Sequence, residues 1–216
     1  MLDLHTHSIF SDGELIHSEL IRRVKVAGYR AIAITDHGDQ SNCDFVIPRI
    51  VKVSRKLSEA CGIIVVPGIE LTHVPPMYIG ELAKEVRNLG ARLVLVHGET
   101  IAEPVAPGTN RAALLADIDI LAHPGLITEE EAALAGQRGI FLEITTRRGH
   151  SLTNGHVFKT ACRSGAKLVL NTDTHSPEDI VSLAQAQQIA RGAGMNDDEV
   201  TAMFKNSARL VEKVRA

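Results

Sequence analysis

The chain has 216 residues, a net charge of -3, 44% apolar residues and 3% aromatics, with no tryptophan. That length buries an ordinary core, while the acidic balance and scarce aromatics argue against nucleic acid as a partner, which would want a basic footprint and stacking platforms. No run approaches the ~20 apolar residues of a membrane helix, Cys43, Cys61 and Cys162 form no pair motif, and MLDLHTH has no leader character, so a cytoplasmic protein with no membrane partner is expected.

In chain order, the first element is a strand over residues 2–4. GELIHSELIRRVKVAG follows as a helix, with Leu15, Ile16, Leu20, Ile21 and Val24 on one face and Gly28 as its stop. AIAIT (31–35) is the second strand. PRIVKVSRKLSEACG reads as a helix with Pro48 in its first turn and Gly62 at its end. IIVV (63–66) is the third strand, and GELAKEVRNLG a helix ending at Gly90. After LVLV (93–96), the fourth strand, HGETIAEPVAPGTNRAA reads as a long polar loop, of the kind that often forms a lid. IDILA (118–122) is the fifth strand. TEEEAALAGQRG is a helix capped by Thr128, with Glu131 three residues on. IFLEI (140–144) is the sixth strand and TNGHVFKTACRSG a helix stopping at Gly165. LVL (168–170) is the seventh strand; a helix from Ser176-Pro177 to Gly192 and another over about 197–214 complete the chain.

Seven short, continuously apolar strands alternating with helices predict an α/β fold of right-handed βαβ units around a parallel sheet. A distorted seven-stranded (βα) barrel, one domain over 1–216, is the first expectation. A doubly wound open sheet is the second, but HTHSIFSDG after strand one is not its glycine-rich fingerprint.

The polar residues at the strand ends do not belong to packing. Strand one leads to His5, His7 and Asp12, strand two to Asp36 and His37, strand three to Glu70. Strands four and five lead to His97 and His123, and strand seven to Asp173 and His175. In a parallel barrel all of these fall at the C-terminal rim. One such residue is usually a hydrogen-bonded turn residue or a cap; no capping rule calls for so many at one end. Imidazole with carboxylate is the ligand chemistry of Zn, Mn and Fe. His5 and His7 alternate past Thr6, so both can reach one side. Nine ligands exceed one ion and suit up to three. His17 reads as a surface residue on its helix.

HTH with SDG, TDH, GIE, VHG, AHPG and DTH, in that order, resembles the PHP (polymerase and histidinol phosphatase) family, from Leu2 to about Ser176. The resemblance implies a distorted seven-stranded barrel with two or three divalent ions. It implies His5, His7 and Asp173 at one ion, and Glu70 bridging to a second held with His97 and His123. Asp12, His37 and His175 are implied at a third; some members of the family carry histidine where this chain has Asp12. The implied activity is hydrolysis of a small phosphomonoester, histidinol phosphate or a nucleotide, by a metal-bridging hydroxide, with Glu70, Asp173 and His175 in catalysis. No serine or cysteine elbow competes for the role.

Arg147 and Arg148 lie in the loop after strand six, and guanidinium suits phosphate. His150 and Ser151 are further donors, Arg111 is a weaker candidate, and His73 is close enough in sequence to line the pocket. Glu143 is placed to orient a ligand. The competing readings are a metal-dependent nuclease, a metal-dependent C–N hydrolase and a non-catalytic metal module. The net charge opposes the first, rim arginines the second, and a complete ligand set the third.

Overall fold

The apolar runs pair side by side as parallel strands: β1 (Leu2–Asp3), β2 (Ala31–Ile34), β3 (His37–Gly38), β4 (Ile64–Leu71), β5 (Leu93–His97), β6 (Ile120–Ala122), β7 (Phe141–Thr145) and β8 (Lys167–Asn171). The computed structural model describes residues 1–215. The sheet runs β1-β2-β4-β5-β6-β7-β8, and β3 prolongs the line of β2 along the upper half of β4. The two ends of the sheet meet, so the architecture is a distorted TIM-like barrel of seven strands, as the alternation predicts.

The seam between β1 and β8 carries the distortion, because β1 is only two residues long. A regular ladder is replaced by rim contacts. The Asp173 N–H donates to the His5 carbonyl (2.9 Å) and the His7 N–H to the Thr174 carbonyl (2.8 Å). Below them the Leu4 N–H donates to Asn171 Oδ1 at 2.9 Å. Asn171 Nδ2 in turn donates to Glu143 Oε1 at 2.8 Å.

Eight helices surround the sheet: α1 (His17–Val26), α2 (Cys43–Cys61), α3 (Pro76–Asn88), α4 (Thr109–Leu115), α5 (Glu129–Arg138), α6 (Asn154–Ser164), α7 (Leu183–Gly192) and α8 (Asp197–Val214). Strand alternation splits the core in two. Ile32, Ile34, Val94, Val96, Leu142 and Ile144 face the helices. Leu4, Ala31, Ala33, Val66, Leu93, Leu95, Ile120 and Val169 fill the barrel, where Leu210, Val211 and Val214 of α8 join them. The same alternation, continued upward, carries Val66 to Glu70 on β4, Leu93 and Leu95 to His97 on β5, and Phe141 to Glu143 on β7. The interior is therefore apolar below and ionisable above.

Several helix limits differ from the sequence expectation. α2 begins at Cys43, so Pro48 lies inside it; burial of Cys43, Val46, Ile47 and Ile50 outweighs the one backbone donor that proline lacks. Ile16 precedes α1 and is exposed, whereas Leu15 is buried. The loop after β5 contains α4. The stretch from Ser176 is a single turn, Pro177–Asp179, separated from α7. The Asp179 carboxylate accepts the His175 and Ser176 N–H groups (2.9 Å each) and closes that turn; Ser182 then caps α7 afresh. The expected capping box of Thr128 and Glu131 is present. No helix among the described residues is long and apolar enough to cross a membrane.

Asn171→Ala would leave the Leu4 N–H without its acceptor and Glu143 Oε1 with one donor fewer at the seam. The expected loss is about 1–3 kcal/mol of unfolding free energy in urea titration; an unchanged midpoint would contradict a latch at this position.

Candidate metal centre

Thr6 sets the first two imidazoles. Its N–H donates to Thr35 Oγ1 (3.0 Å) and its hydroxyl to the Ala33 carbonyl (2.6 Å), so its side chain faces β2. His5 and His7, on either side of it, are fully buried in the mouth. Asp36 organises the next loop, accepting from the Ser8 N–H (2.7 Å), the Ser8 hydroxyl (2.8 Å) and the Ser11 hydroxyl (2.9 Å). That fold-back presents Asp12 Oδ1 to His37 Nε2 (3.4 Å) and His175 Nε2 (3.2 Å).

Glu70 stands at the centre, fully buried. Its Oε1 lies 3.3 Å from His5 Nε2, 3.6 Å from His97 Nδ1 and 3.5 Å from His123 Nε2. Its Oε2 lies 2.8 Å from His37 Nδ1 and 3.7 Å from His7 Nε2. Asp173 faces it across the mouth, with Oδ1 3.1 Å from His7 Nε2 and 3.6 Å from His5 Nε2, and Oδ2 3.7 Å from His123 Nε2. Asp173 (φ 54°) and His123 (φ 26°) occupy the left-handed region without being glycine, a backbone strain that clusters at functional sites.

Five groups of ligand atoms result among the described residues, each with its atoms within 4.8 Å of one another: His7, Asp12, His37 and His175; His5, His7 and Glu70; His5, His123 and Asp173; Glu70, His97 and His123; and, on the open side, His73, His97 and Glu103. Tetrahedral ligands on bonds of about 2.1 Å stand about 3.4 Å apart, so the groups have the dimensions of cation sites.

The hydrogen bonding gives an independent test of fit. Buried polar atoms in folded proteins nearly always have partners. Among the described residues eight such side-chain atoms have none, and seven belong to this mouth: His5 Nε2, both ring nitrogens of His7, Glu70 Oε1, both ring nitrogens of His97, and His123 Nδ1. Imidazole rings and a carboxylate oxygen, buried together with unpartnered polar atoms, fit a divalent cation.

The surroundings orient these ligands as metal ligands are commonly oriented. His5 Nδ1 donates to Glu143 Oε1 (2.9 Å), which leaves Nε2 toward Glu70 and Asp173. Glu143 Oε2 also accepts the His123 N–H at 3.1 Å. His175 Nδ1 donates to the Asp173 carbonyl (2.8 Å) and turns Nε2 toward Asp12.

Protonation follows the same contacts. Burial alone would depress the His37 imidazolium, but hydrogen bonds to Asp12 and Glu70 outweigh it and raise the pKa to about 10. Burial is likewise outweighed at His97, where Glu103 and Glu70 raise the value to about 9. Burial would raise the acids Glu70 and Asp173, yet the surrounding imidazoles, His5 foremost, hold both well below the usual carboxylate range.

A model of the PHP domain matches residues 3–99. An uncharacterized protein of Methanocaldococcus jannaschii is 48% identical over 92% of this chain and 92% of its own. Residues 3–99 belong to the PHP domain family. A probable phosphatase of Shewanella pealeana is 27% identical, over 89% of this chain and 84% of its own. Among solved structures, a chain of the cryo-EM structure of archaeal ribonuclease P with mature tRNA superposes with a TM-score of 0.75 at 17% identity, covering 97% of this chain and 90% of that one. The putative histidinol phosphatase of Listeria monocytogenes gives 0.62 at 13% identity, covering 86% and 99%. At these identities the two structures share the fold.

All nine ligand positions that the PHP resemblance implies meet in the mouth. The substrate-side residues divide. His150 is buried, stacks on His123 at 4.2 Å between ring centroids and comes within 4.0 Å of Asp173 Oδ2. Arg147 donates to Asp179 Oδ2 at 2.8 Å, so its guanidinium is committed to the turn after β8. Arg148 and Arg111 are exposed, and their side chains form no ion pair or hydrogen bond among the described residues. His17, read as a surface residue, is largely buried, with Nε2 3.3 Å from the Ser8 hydroxyl and 4.0 Å from Asp36 Oδ2. Glu103 escapes the strand-end pattern altogether. It arrives from the loop after β5, with carboxylate oxygens 3.2 Å from His97 Nε2, 3.3 Å from His73 Nε2 and 3.4 Å from His150 Nε2. Its only sequence signal is an acid within the loop already read as a lid.

Metal must displace protons from His37 and His97, both protonated at pH 7 in the metal-free protein because their values lie near 10 and 9. Apparent affinity for Mn or Zn should therefore rise between pH 7 and 9, by about tenfold per unit for each proton released. Calorimetric titration in buffers of different ionisation enthalpy measures that release; a pH-independent affinity would contradict these protonation states.

Proposed function

We propose that the protein is a metal-dependent phosphoesterase that hydrolyses a small phosphomonoester, of the histidinol phosphate or nucleotide type, with two or three divalent ions of Zn, Mn or Fe held by the nine residues of the mouth. The observation that carries this reading is the set of seven buried, unpartnered polar atoms, on the five residues His5, His7, Glu70, His97 and His123, around Glu70 and Asp173. The family and the probable phosphatase relative support it. Three cysteines without disulfide partners support a reducing, cytoplasmic setting.

The charge balance also supports metal. Glu70, Asp173, Asp12 and Glu103 bring four carboxylates to the mouth, and no arginine side chain pairs with any of them among the described residues. A phosphate dianion would be repelled there without added positive charge. Bound ions supply that charge and activate water for attack on phosphorus. The protein's own residues then hold geometry. Glu70 spans the groups of His5, His7, His97 and His123 and would be the carboxylate shared by the ions they hold. Asp173, locked by its backbone at the seam, sets the opposite wall. His175, with its Nδ1 proton on the Asp173 carbonyl, presents its Nε2 lone pair at the rim beside Asp12, where it would serve as a ligand. His150, held by Thr100 Oγ1 at 2.7 Å from Nδ1, presents Nε2 to the mouth as a donor for a phosphoryl oxygen. Arg148 and Arg111 are left free to reach the rest of a substrate, and Arg147 acts through the Asp179 turn.

A second reading, cleavage of nucleic acid phosphodiesters, draws on the fold shared with the ribonuclease P chain. The acidic net charge weighs against it. Phosphate release from a panel of phosphomonoesters, with short oligonucleotides alongside and chelator as control, separates the two. Chelator-sensitive release from a monoester is expected; shortened oligonucleotides with no monoester turnover would favour the second reading.

In the same assay Glu70→Gln should lower turnover at least about 100-fold and weaken metal binding while the chain still folds. Full turnover by that variant would overturn the central role of Glu70.

A further inference from the structure

Glu103 belongs to none of the strand ends, yet its position is built. The loop that carries it is pinned at its root by a reciprocal pair. The Glu99 N–H donates to Asn110 Oδ1 and the Asn110 N–H to Glu99 Oε1, at 2.9 Å each. Asn110 Nδ2 then donates to the Pro124 carbonyl at 2.9 Å, directly after His123. Side chains are excluded from this root. A Cβ at Gly98 would overlap the Ala122 carbonyl oxygen, and one at Gly125, which has φ +64°, would overlap that of Glu99. Further along, Thr100 Oγ1 meets His150 Nδ1 and accepts the Ala102 N–H at 3.3 Å. The loop is thus tied to β6 and to His150 on both sides of the mouth, and Glu103 is aimed inward with 40% of its side chain exposed.

What it is aimed at is His97, whose ring faces a carboxylate at each nitrogen. Nδ1 lies 3.6 Å from Glu70 Oε1 and Nε2 lies 3.2 Å from Glu103 Oε2. The ring is 2% exposed, and both nitrogens lack a well-aligned hydrogen bond. A neutral imidazole offers one lone pair and one N–H. Both nitrogens lie in groups with the dimensions of a cation site, but the group with Glu70 and His123 is wholly buried while the one with His73 and Glu103 is exposed at both partners; the buried group takes the lone pair of Nδ1, which leaves the proton on Nε2, toward Glu103. His5 is the internal precedent: its Nε2 faces Glu70 while Nδ1 donates to Glu143.

We propose that Glu103 is a positioning residue of the metal centre: it accepts the Nε2 proton of His97 and so fixes this imidazole as an Nδ1 ligand. The inference rests on the metal reading of the mouth. It gives the loop after β5 a function in metal retention, through a carboxylate on the open side of the mouth. His73, 44% exposed and 3.3 Å from the same oxygen, steadies Glu103 from outside.

The test uses the full chain, stripped with chelator and reloaded with Zn. Affinity and stoichiometry are read by competition with a chromophoric chelator for the wild type, E103A and E103Q. Removal of an orienting partner typically weakens metal binding about 10- to 100-fold. E103A is expected to lose that much at one binding step while the other steps are unchanged. E103Q, which keeps an acceptor oxygen, is expected to fall between E103A and the wild type. Long-range 1H–15N spectra of the Zn-loaded wild type should show His97 metallated at Nδ1 and protonated at Nε2, a readout that stands even where E103A fails to fold. A wild type that takes up no metal removes the metal reading and this inference with it. A wild type that loads metal while E103A matches it, or a His97 metallated at Nε2, overturns the inference alone.

Discussion

A fully buried carboxylate, Glu70, is the charge around which the upper half of this barrel is organised. Taking one ionised group out of water costs several kcal/mol unless partners compensate. Five imidazoles, those of His5, His7, His37, His97 and His123, approach it within 2.8 to 3.7 Å. They outweigh its burial and keep it ionised, yet the hydrogen bonding among them is incomplete. Glu70 Oε1 has no hydrogen bond, and the nitrogens nearest to it are short of partners as well. The polypeptide has assembled donors of electron pairs more completely than donors of protons. A cation reconciles the two, and the fold is arranged so that this imbalance sits at one place.

The lower half makes that arrangement stable. Alanine, valine and leucine side chains fill the barrel below Glu70, and α8 closes its base with Leu210, Val211 and Val214. The weak point is the seam of the two-residue β1 with β8. It is closed by the backbones of His5, His7, Asp173 and Thr174 and by the side chain of Asn171. Three of those backbone residues also place ligand side chains. Closure of the barrel and alignment of the ligands are therefore one structural event, and Glu143 joins them by holding Asn171 Nδ2, His5 Nδ1 and the His123 N–H at once.

Much of this was legible in the sequence because strand alternation is rigid. Once Leu93 and Leu95 are assigned to the interior, His97 follows them, and Val66 leads to Glu70 in the same way. The order of the motifs then matched the PHP family. The elements that were not legible depend on tertiary context. Pro48 was read as a helix start, but the helix extends upstream because its apolar face is buried there. Arg147 was read as a phosphate contact, but Asp179, brought near by the turn after β8, takes its guanidinium. Glu103 carries no sequence signal of its own because a loop has no period; the Glu99–Asn110 pair and two crowded glycines define its path, and none of these is visible as a spacing.

The central claim, that this mouth is a centre for more than one divalent ion, is tested most directly by crystals of the protein grown with Mn or Zn and measured at the absorption edge of that metal. Two or three anomalous peaks within bonding distance of the Glu70, Asp173 and histidine side chains are predicted. A mouth without anomalous density, in protein saturated with the metal, would contradict the account.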